Sequence, residues 1–175
     1  MDKIARIIKL CIIIFISSSA LAKTNFKIAV TGVESEVYEN IVKYLKYENT
    51  NSNKKITTEE IKHLYLSNTN NIKEAMQPFG YFHPQIEPSL QQKNGLWQAN
   101  YKITPGPRVK FTKVNYSKHI KPDWIPKDGI SSGDYFNTIK YQRTKDHILT
   151  SAIDSGYIEA SISDSNVKIN PSQNS

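Results

Sequence analysis

The chain has 175 residues, with 23 Lys and Arg against 16 Asp and Glu, a formal net charge of +7 and one cysteine. The length limits it to one domain or two small ones, and the lone cysteine excludes a disulfide scaffold and a zinc–thiolate cluster. The basic excess is dispersed, with Lys54-Lys55 in an Asn- and Ser-rich stretch as the one basic pair beyond the first residues, so nucleic acid is not an expected partner.

Lys3, Arg6 and Lys9 precede an apolar run from Leu10 to Ile16, followed by three serines and Ala20-Leu21-Ala22. A positive start, a short apolar stretch and a small-x-small ending form a cleavable secretory signal over residues 1–22. The run is too short for a membrane span, which takes about 20 residues. Cleavage removes Cys11, and the net charge falls from +7 to +5 because Lys3, Arg6, Lys9 and Asp2 leave together. The expected destination is the cell envelope, outside the cytoplasm.

Phe26, Ile28 and Val30 alternate with polar or small residues and predict a half-buried strand that stops at Gly32. Ser35 is a candidate cap for a helix carrying Val37, Ile41, Tyr44 and Leu45 on one stripe. After a polar loop over Asn49 to Lys55, Thr57 and Glu60 form a capping box. The second helix then places Ile61, Leu64, Tyr65, Ile72, Ala75, Met76 and Phe79 on one face, and Gly80 closes it. Ser67 to Asn71 is poor helix material, so a kink or break is expected there. A weaker strand over Pro84 to Gln91 and a clear one with Trp97, Ala99, Tyr101 and Ile103 facing one way flank the turn Lys93-Asn94-Gly95. Thr104-Pro105-Gly106-Pro107 ends the unit.

The series then begins again. Val109 to Tyr116 reads as a strand, and Lys118 to Gly133 as an extended loop. Gly133-Asp134-Tyr135 opens a helix with Tyr135, Ile139, Leu149, Ala152 and Ile153, closed by Gly156. Tyr157 starts a strand alternating through Ile158, Ala160 and Ile162. Val30-Thr31-Gly32 corresponds to Val114-Asn115-Tyr116, and Gly80-Tyr81-Phe82 to Gly156-Tyr157-Ile158, as expected of one module repeated. The fold class is α+β.

No chemistry of catalysis is visible. His63, His83, His119 and His147 lack ligand spacing, and Glu59-Glu60 suits the dipole of a first helical turn. There is neither a Gly-x-Ser-x-Gly elbow nor a phosphate loop, so no enzyme, metal or cofactor is expected.

The order strand, helix, helix, Gly80-Tyr81-Phe82-His83-Pro84 strand, and Pro105-Gly106-Pro107 junction resembles a POTRA (polypeptide-transport-associated) domain of the TamA family. The resemblance implies a β-α-α-β-β module, a three-stranded mixed sheet under two helices, over residues 23–106. It implies a second, incomplete copy over 107–169, lacking the last strand, which in such sheets lies between the other two, and a polar tail over 170–175. It implies a periplasmic binding arm in outer-membrane protein assembly or autotransporter-type secretion. The implied partners are unfolded outer-membrane or autotransporter proteins, an outer-membrane β-barrel subunit and an inner-membrane partner spanning the envelope. No repeated alternating segments of barrel type follow Ile169, so the chain reads as a fragment of a longer arm or one completed by a partner.

Clients are expected to add as strands at exposed sheet edges, along Ile86, Ser89 and Leu90 in the first module and Ile158, Ala160 and Ile162 in the second. Pro84 and Pro88 share parity and interrupt the first edge on either side of Ile86. The second-helix groove beside that strand is then the better surface in module one, and the proline-free second edge the more receptive strand. Gly32, Gly80, Tyr81, Gly106, Gly156 and Tyr157 are expected to be structural, at turns, caps and strand–helix anchors. A stand-alone adaptor with one specific partner and a small periplasmic hydrolase are the alternatives.

Overall fold

The computed structural model describes residues 25–45 and 56–169. The signal segment, the Asn-rich loop and the polar tail lie outside the described residues. In chain order the elements are β1 (Asn25–Thr31), α1 (Ser35–Tyr44), α2 (Thr58–Met76), β2 (Gln85–Lys93), β3 (Leu96–Thr104) and α3 (Thr138–Asp154). Short 3-10 turns occupy Gln77–Phe79 and Pro122–Trp124. The first five elements form the expected β-α-α-β-β unit.

Its sheet has the order β1-β3-β2, with β3 parallel to β1 and antiparallel to β2. The last strand of the unit is therefore the central one. Ala99, Tyr101 and Ile103 point from it into the core, where Phe26, Ile28, Ile41, Ile61, Ile72, Met76 and Phe79 meet them. Tyr101 is fully buried, and its hydroxyl donates to the Tyr65 carbonyl at 3.0 Å. Burial pushes the Tyr101 phenol up to about 12, because a phenolate would be stranded away from water.

The capping box forms as the spacing predicts. Thr57 Oγ1 accepts from the Glu60 N–H at 3.2 Å, and the Thr57 N–H donates to Glu60 Oε2 at 2.7 Å. The expected break at Ser67 to Asn71 does not occur, since α2 runs unbroken from Thr58 to Met76. Asn68 falls on the buried face between Ile61 and Ile72, and Asn71 Nδ2 donates to its Oδ1 at 3.2 Å. Burial of that face outweighs a weak local propensity of a few tenths of a kcal/mol per residue, roughly. Ser35 is not the cap of α1: Glu34 takes that place without a side-chain bond, and Tyr44 lies exposed beside the buried Leu45. Gly32 has φ +91°, and a Cβ there would lie 2.0 Å from the Ile103 carbonyl oxygen. Only glycine lets the β1–α1 turn approach the central strand this closely.

The second half departs further from expectation. Val109 to Tyr116 is not a strand. It makes one isolated bridge, Lys110 to Tyr135, with Val109 and Phe111 buried over Ile130 and Phe136. The Phe136 N–H donates to the Val109 carbonyl at 2.8 Å and the Phe111 N–H to the Asp134 carbonyl at 2.8 Å. Residues 133–136 are held in that bridge, so α3 starts later than Gly133, where Asn137 Oδ1 accepts from the Lys140 N–H at 3.0 Å. The inward residues of α3 are Thr144, Ile148 and Ala152, while Tyr135, Ile139 and Ile153 are exposed. Tyr157 to Asp164 is not a strand either. The alternation is present, but no neighbouring strand lies in place to bond it, and a strand exists only through its ladder.

Candidate functional site

The hairpin β2–β3 decides what the sheet can offer. Asn94 (φ 50°) and Gly95 (φ 76°) make a two-residue turn with both positive φ values, bracketed by the pair Lys93 and Leu96. In such a hairpin the bracketing pair exchanges hydrogen bonds and every second pair does likewise. Glu87, Ser89 and Gln91 therefore turn their amides to β3. Ile86, Pro88, Leu90 and Gln92 turn theirs to the open side. Pro88, opposite Tyr101, has no N–H to present there, and Pro84 has the same parity just before the strand. The open edge thus carries donors at Ile86, Leu90 and Gln92, with gaps on both sides of Ile86. The side chains of Ile86 and Leu90 are half-buried against the core, whereas Ser89 is exposed.

In the second half, Ile158 is 82% exposed, Ile162 is exposed and Ala160 is half-buried. Among the described residues, no backbone hydrogen bond involves residues 161–169. This segment lies across a cleft of about 540 Å³ from residues 109–117, with Tyr141, Thr144 and Ile148 of α3 also lining it.

The predicted structural positions form two matched helix ends and the joint between them. Gly80 (φ 86°) and Gly156 (φ 94°) are both left-handed. The N–H of Gly80 bonds the Gln77 carbonyl and that of Tyr81 the Met76 carbonyl; those of Gly156 and Tyr157 bond Ile153 and Ala152 in the same pattern. A Cβ on Gly80 would meet the carbonyls of Phe136 and Val109, so the second half packs directly on this cap. Gly106 sits in the junction turn with φ 75°.

Sequence reasoning did not single out Arg108. Its Nε donates to the Phe79 carbonyl at 2.6 Å. Its guanidinium lies 5.0 Å from the Tyr135 ring centroid and 5.6 Å from that of Tyr81. The Val109 N–H donates to the Gly80 carbonyl at 2.9 Å. Phe82 meets Phe136 at a tilt of 48° with ring centroids 6.0 Å apart, so Tyr81 anchors the first core and Phe82 the second. Tyr157 is half-exposed and meets Trp124 edge-on at 5.3 Å, with Lys121 over both rings. A proline-flanked arginine following a turn could have signalled this joint; its aromatic partners come from distant segments and could not.

Nearby, Asp134 accepts from Lys140 Nζ at 2.8 Å and from the Ser131 N–H at 2.9 Å. These bonds hold its carboxyl below the usual carboxylate range. Among the described residues, no three His, Cys, Asp or Glu side chains group as metal ligands would. No helix among them is long and apolar enough to cross a membrane.

Residues 27–105 match the family model for POTRA domain TamA domain 1. This segment is a TamA-type POTRA domain. None of the curated proteins matches the chain. Among solved structures it is similar to POTRA1-2 of the periplasmic domain of Omp85 from Anabaena, at 12% identity and TM-score 0.34, covering 82% of this chain and 85% of that one. A POTRA1-3 structure of the same Omp85 domain gives 12% identity, TM-score 0.34 and coverage of 81% and 54%. Haemophilus influenzae BamA POTRA3-5 gives 12%, 0.32, and 77% and 51%. The chain thus spans about half the length of the latter two.

Proposed function

We propose that this chain is a periplasmic binding and docking arm in outer-membrane protein assembly or autotransporter-type secretion, with residues 107–169 forming a second, incomplete POTRA-like module. The observation that carries the proposal is the TamA-type POTRA domain at 27–105, whose open β2 edge presents backbone rather than a chemical centre. Backbone hydrogen bonding is indifferent to client sequence, which suits a handler of many unfolded proteins. The shared bonding pattern at Gly80 and Gly156 supports the repeat. The partners are unfolded outer-membrane or autotransporter proteins, an outer-membrane β-barrel subunit and an inner-membrane partner spanning the envelope.

The two edges are unequal in this reading. Pro84 and Pro88 interrupt the β2 edge, so in the first module the α2–β2 groove takes more of the client. The segment from Ile158 through Ala160 to Ile162 accepts a strand more readily. Photo-crosslinking residues placed singly at Ile86, Ile158 and the exposed α1 position Glu39 test this against an unfolded barrel substrate. Labelling is expected to fall in the order Ile158, Ile86, Glu39. Equal or reversed labelling at Ile158 and Ile86 would overturn the ranking, and labelling at both no stronger than at Glu39 would overturn the client-binding function.

A further inference from the structure

A row of alternating rings and cations crosses the joint between the two halves. In order it is Tyr81, Arg108, Tyr135 and Lys110. The Arg108 guanidinium stands 5.6 Å from the first ring centroid and 5.0 Å from the second, and Lys110 Nζ lies 4.8 Å from the second. Arg108 and Lys110 share a face because alternate residues of an extended segment point the same way. The bridge between Lys110 and Tyr135 brings the ring to that face. The two charges are thus held within about 10 Å of each other.

Neither cation is in an ion pair among the described residues. The Arg108 Nε is committed to the Phe79 carbonyl, which leaves the terminal amino groups of its fork without a partner there. Asp134, beside Tyr135 in the chain, is occupied by Lys140 Nζ and the Ser131 N–H. Like charges kept this close repel, and the ring face offsets only part of that repulsion.

The other end of the row borders a small cavity. Tyr81 lines it with Val33, Val37 and Pro105, over about 310 Å³, and Glu34 is the one charged residue of its lining. A ligand for such a strip has two parts. An apolar side chain of leucine size suits the cavity, where Glu34 repels an acid. Carboxylates suit the Arg108 fork, which presents paired donors to paired oxygens, and the Lys110 ammonium beyond it. At about 3.3 Å per residue, an extended segment brings positions two to four residues from its apolar anchor onto the two cations. A membrane surface fits less well, since two cations at a turn supply little of the basic cluster that anionic headgroups require.

We propose that this strip docks an acidic segment of a partner protein, seated by one apolar side chain beside Tyr81 and held by carboxylates on Arg108 and Lys110. The site is separate from the β2 edge and from Ile158 to Ile162, and adds a contact of defined chemistry to the sequence-indifferent ones.

The test uses the full chain and three short synthetic probes in a serine–glycine background, read by fluorescence anisotropy. One carries a leucine with glutamates two and four positions on. The second has glutamines for the glutamates, and the third has serine for the leucine. The first is expected to bind about tenfold more tightly than either other, a difference within reach of two charge pairs or one buried side chain. Its binding should weaken several-fold on going to about 0.5 M salt, because exposed charges are screened. Lys110→Ala should lower its affinity about threefold and Lys110→Glu about tenfold, with the glutamine probe indifferent to both. Arg108→Lys keeps the charge and loses the fork, and should weaken it about fivefold. Hydrogen exchange of β3 reports in each variant that the fold is kept. Lys27→Ala, at an exposed position of β1, should change nothing.

Equal binding of the glutamate and glutamine probes would overturn the proposal. So would equal effects of Lys27→Ala and Lys110→Ala. Phosphatidylglycerol vesicles that bind through Lys110 when the glutamate probe does not would assign the strip to a lipid surface and contradict it. None of these outcomes bears on crosslinking at Ile86 and Ile158, so a failure here leaves the client-binding reading standing.

Discussion

The two halves of this protein carry similar local signals and end in different structures. Each has an inward-alternating first segment, a helix closed by a left-handed glycine and an aromatic residue just beyond it. The first half becomes a sheet and the second does not. The difference is β3: Asn25 to Thr31 bonds to it along its whole length, and Gln85 to Lys93 does the same from the other side. Val109 and Phe111 bury their side chains much as Phe26 and Ile28 do, yet their backbone finds the Gly80 carbonyl and a short bridge to residues 133–136 rather than a strand. Helix ends are decided within a few residues; a strand is decided by its neighbour.

The comparison can be broken first in the cores. Ile72 is fully buried within the larger core, and Ile148 is nearly buried beneath a cleft open on one side. Ile72→Ala should destabilise the first module by about 3–4 kcal/mol, and Ile148→Ala the second half by about 2 kcal/mol, since an open site can relax around the loss. Urea unfolding followed by Tyr101 environment and by Trp124 fluorescence should show two separable losses. Equal destabilisation of both halves by either substitution would mean that they share one cooperative core.

A smaller effect sharpens the joint between the halves. Arg108→Ala removes a charged donor from the Phe79 carbonyl and the cation between Tyr81 and Tyr135. The expected loss is about 1.5–3 kcal/mol, read as faster exchange of the Val109 amide with β3 unaffected. Unchanged Val109 exchange would show that the backbone bond to Gly80 holds the joint alone.

The smallest effect is a pH response confined to the second half. The Asp134 pKa is lowered in the folded chain by Lys140 and the Ser131 amide. Its contribution is therefore present above the unfolded carboxylate pKa and is lost as pH falls through the lower folded value. Asp134→Asn should abolish this acid-side slope in the second half and leave the first module's response unchanged. A persisting slope in the variant would assign it to other carboxylates.

How much was legible in the sequence follows the same division. The capping box at Thr57 and Glu60, the Asn94-Gly95 hairpin and the inward set Ala99, Tyr101 and Ile103 are local patterns, and each appears as read. The expected break in α2 failed because Asn68 is held by burial and by Asn71, which propensity does not see. The strands at Val109 and Tyr157 failed because alternation reports a face and not a partner. The cleft was not legible, and of the Arg108 joint only the arginine after its turn was, since both assemble residues far apart along the chain.

The most direct measurement is residue-resolved hydrogen exchange of the whole chain with and without an unfolded segment of an outer-membrane barrel protein. The account predicts that amides from Ile158 to Asp164 slow most, that Ile86 slows less, and that Glu87, Ser89 and Gln91, already bonded to β3, do not change. Binding that leaves Ile158 to Asp164 and Ile86 exchanging as in the free chain would contradict it.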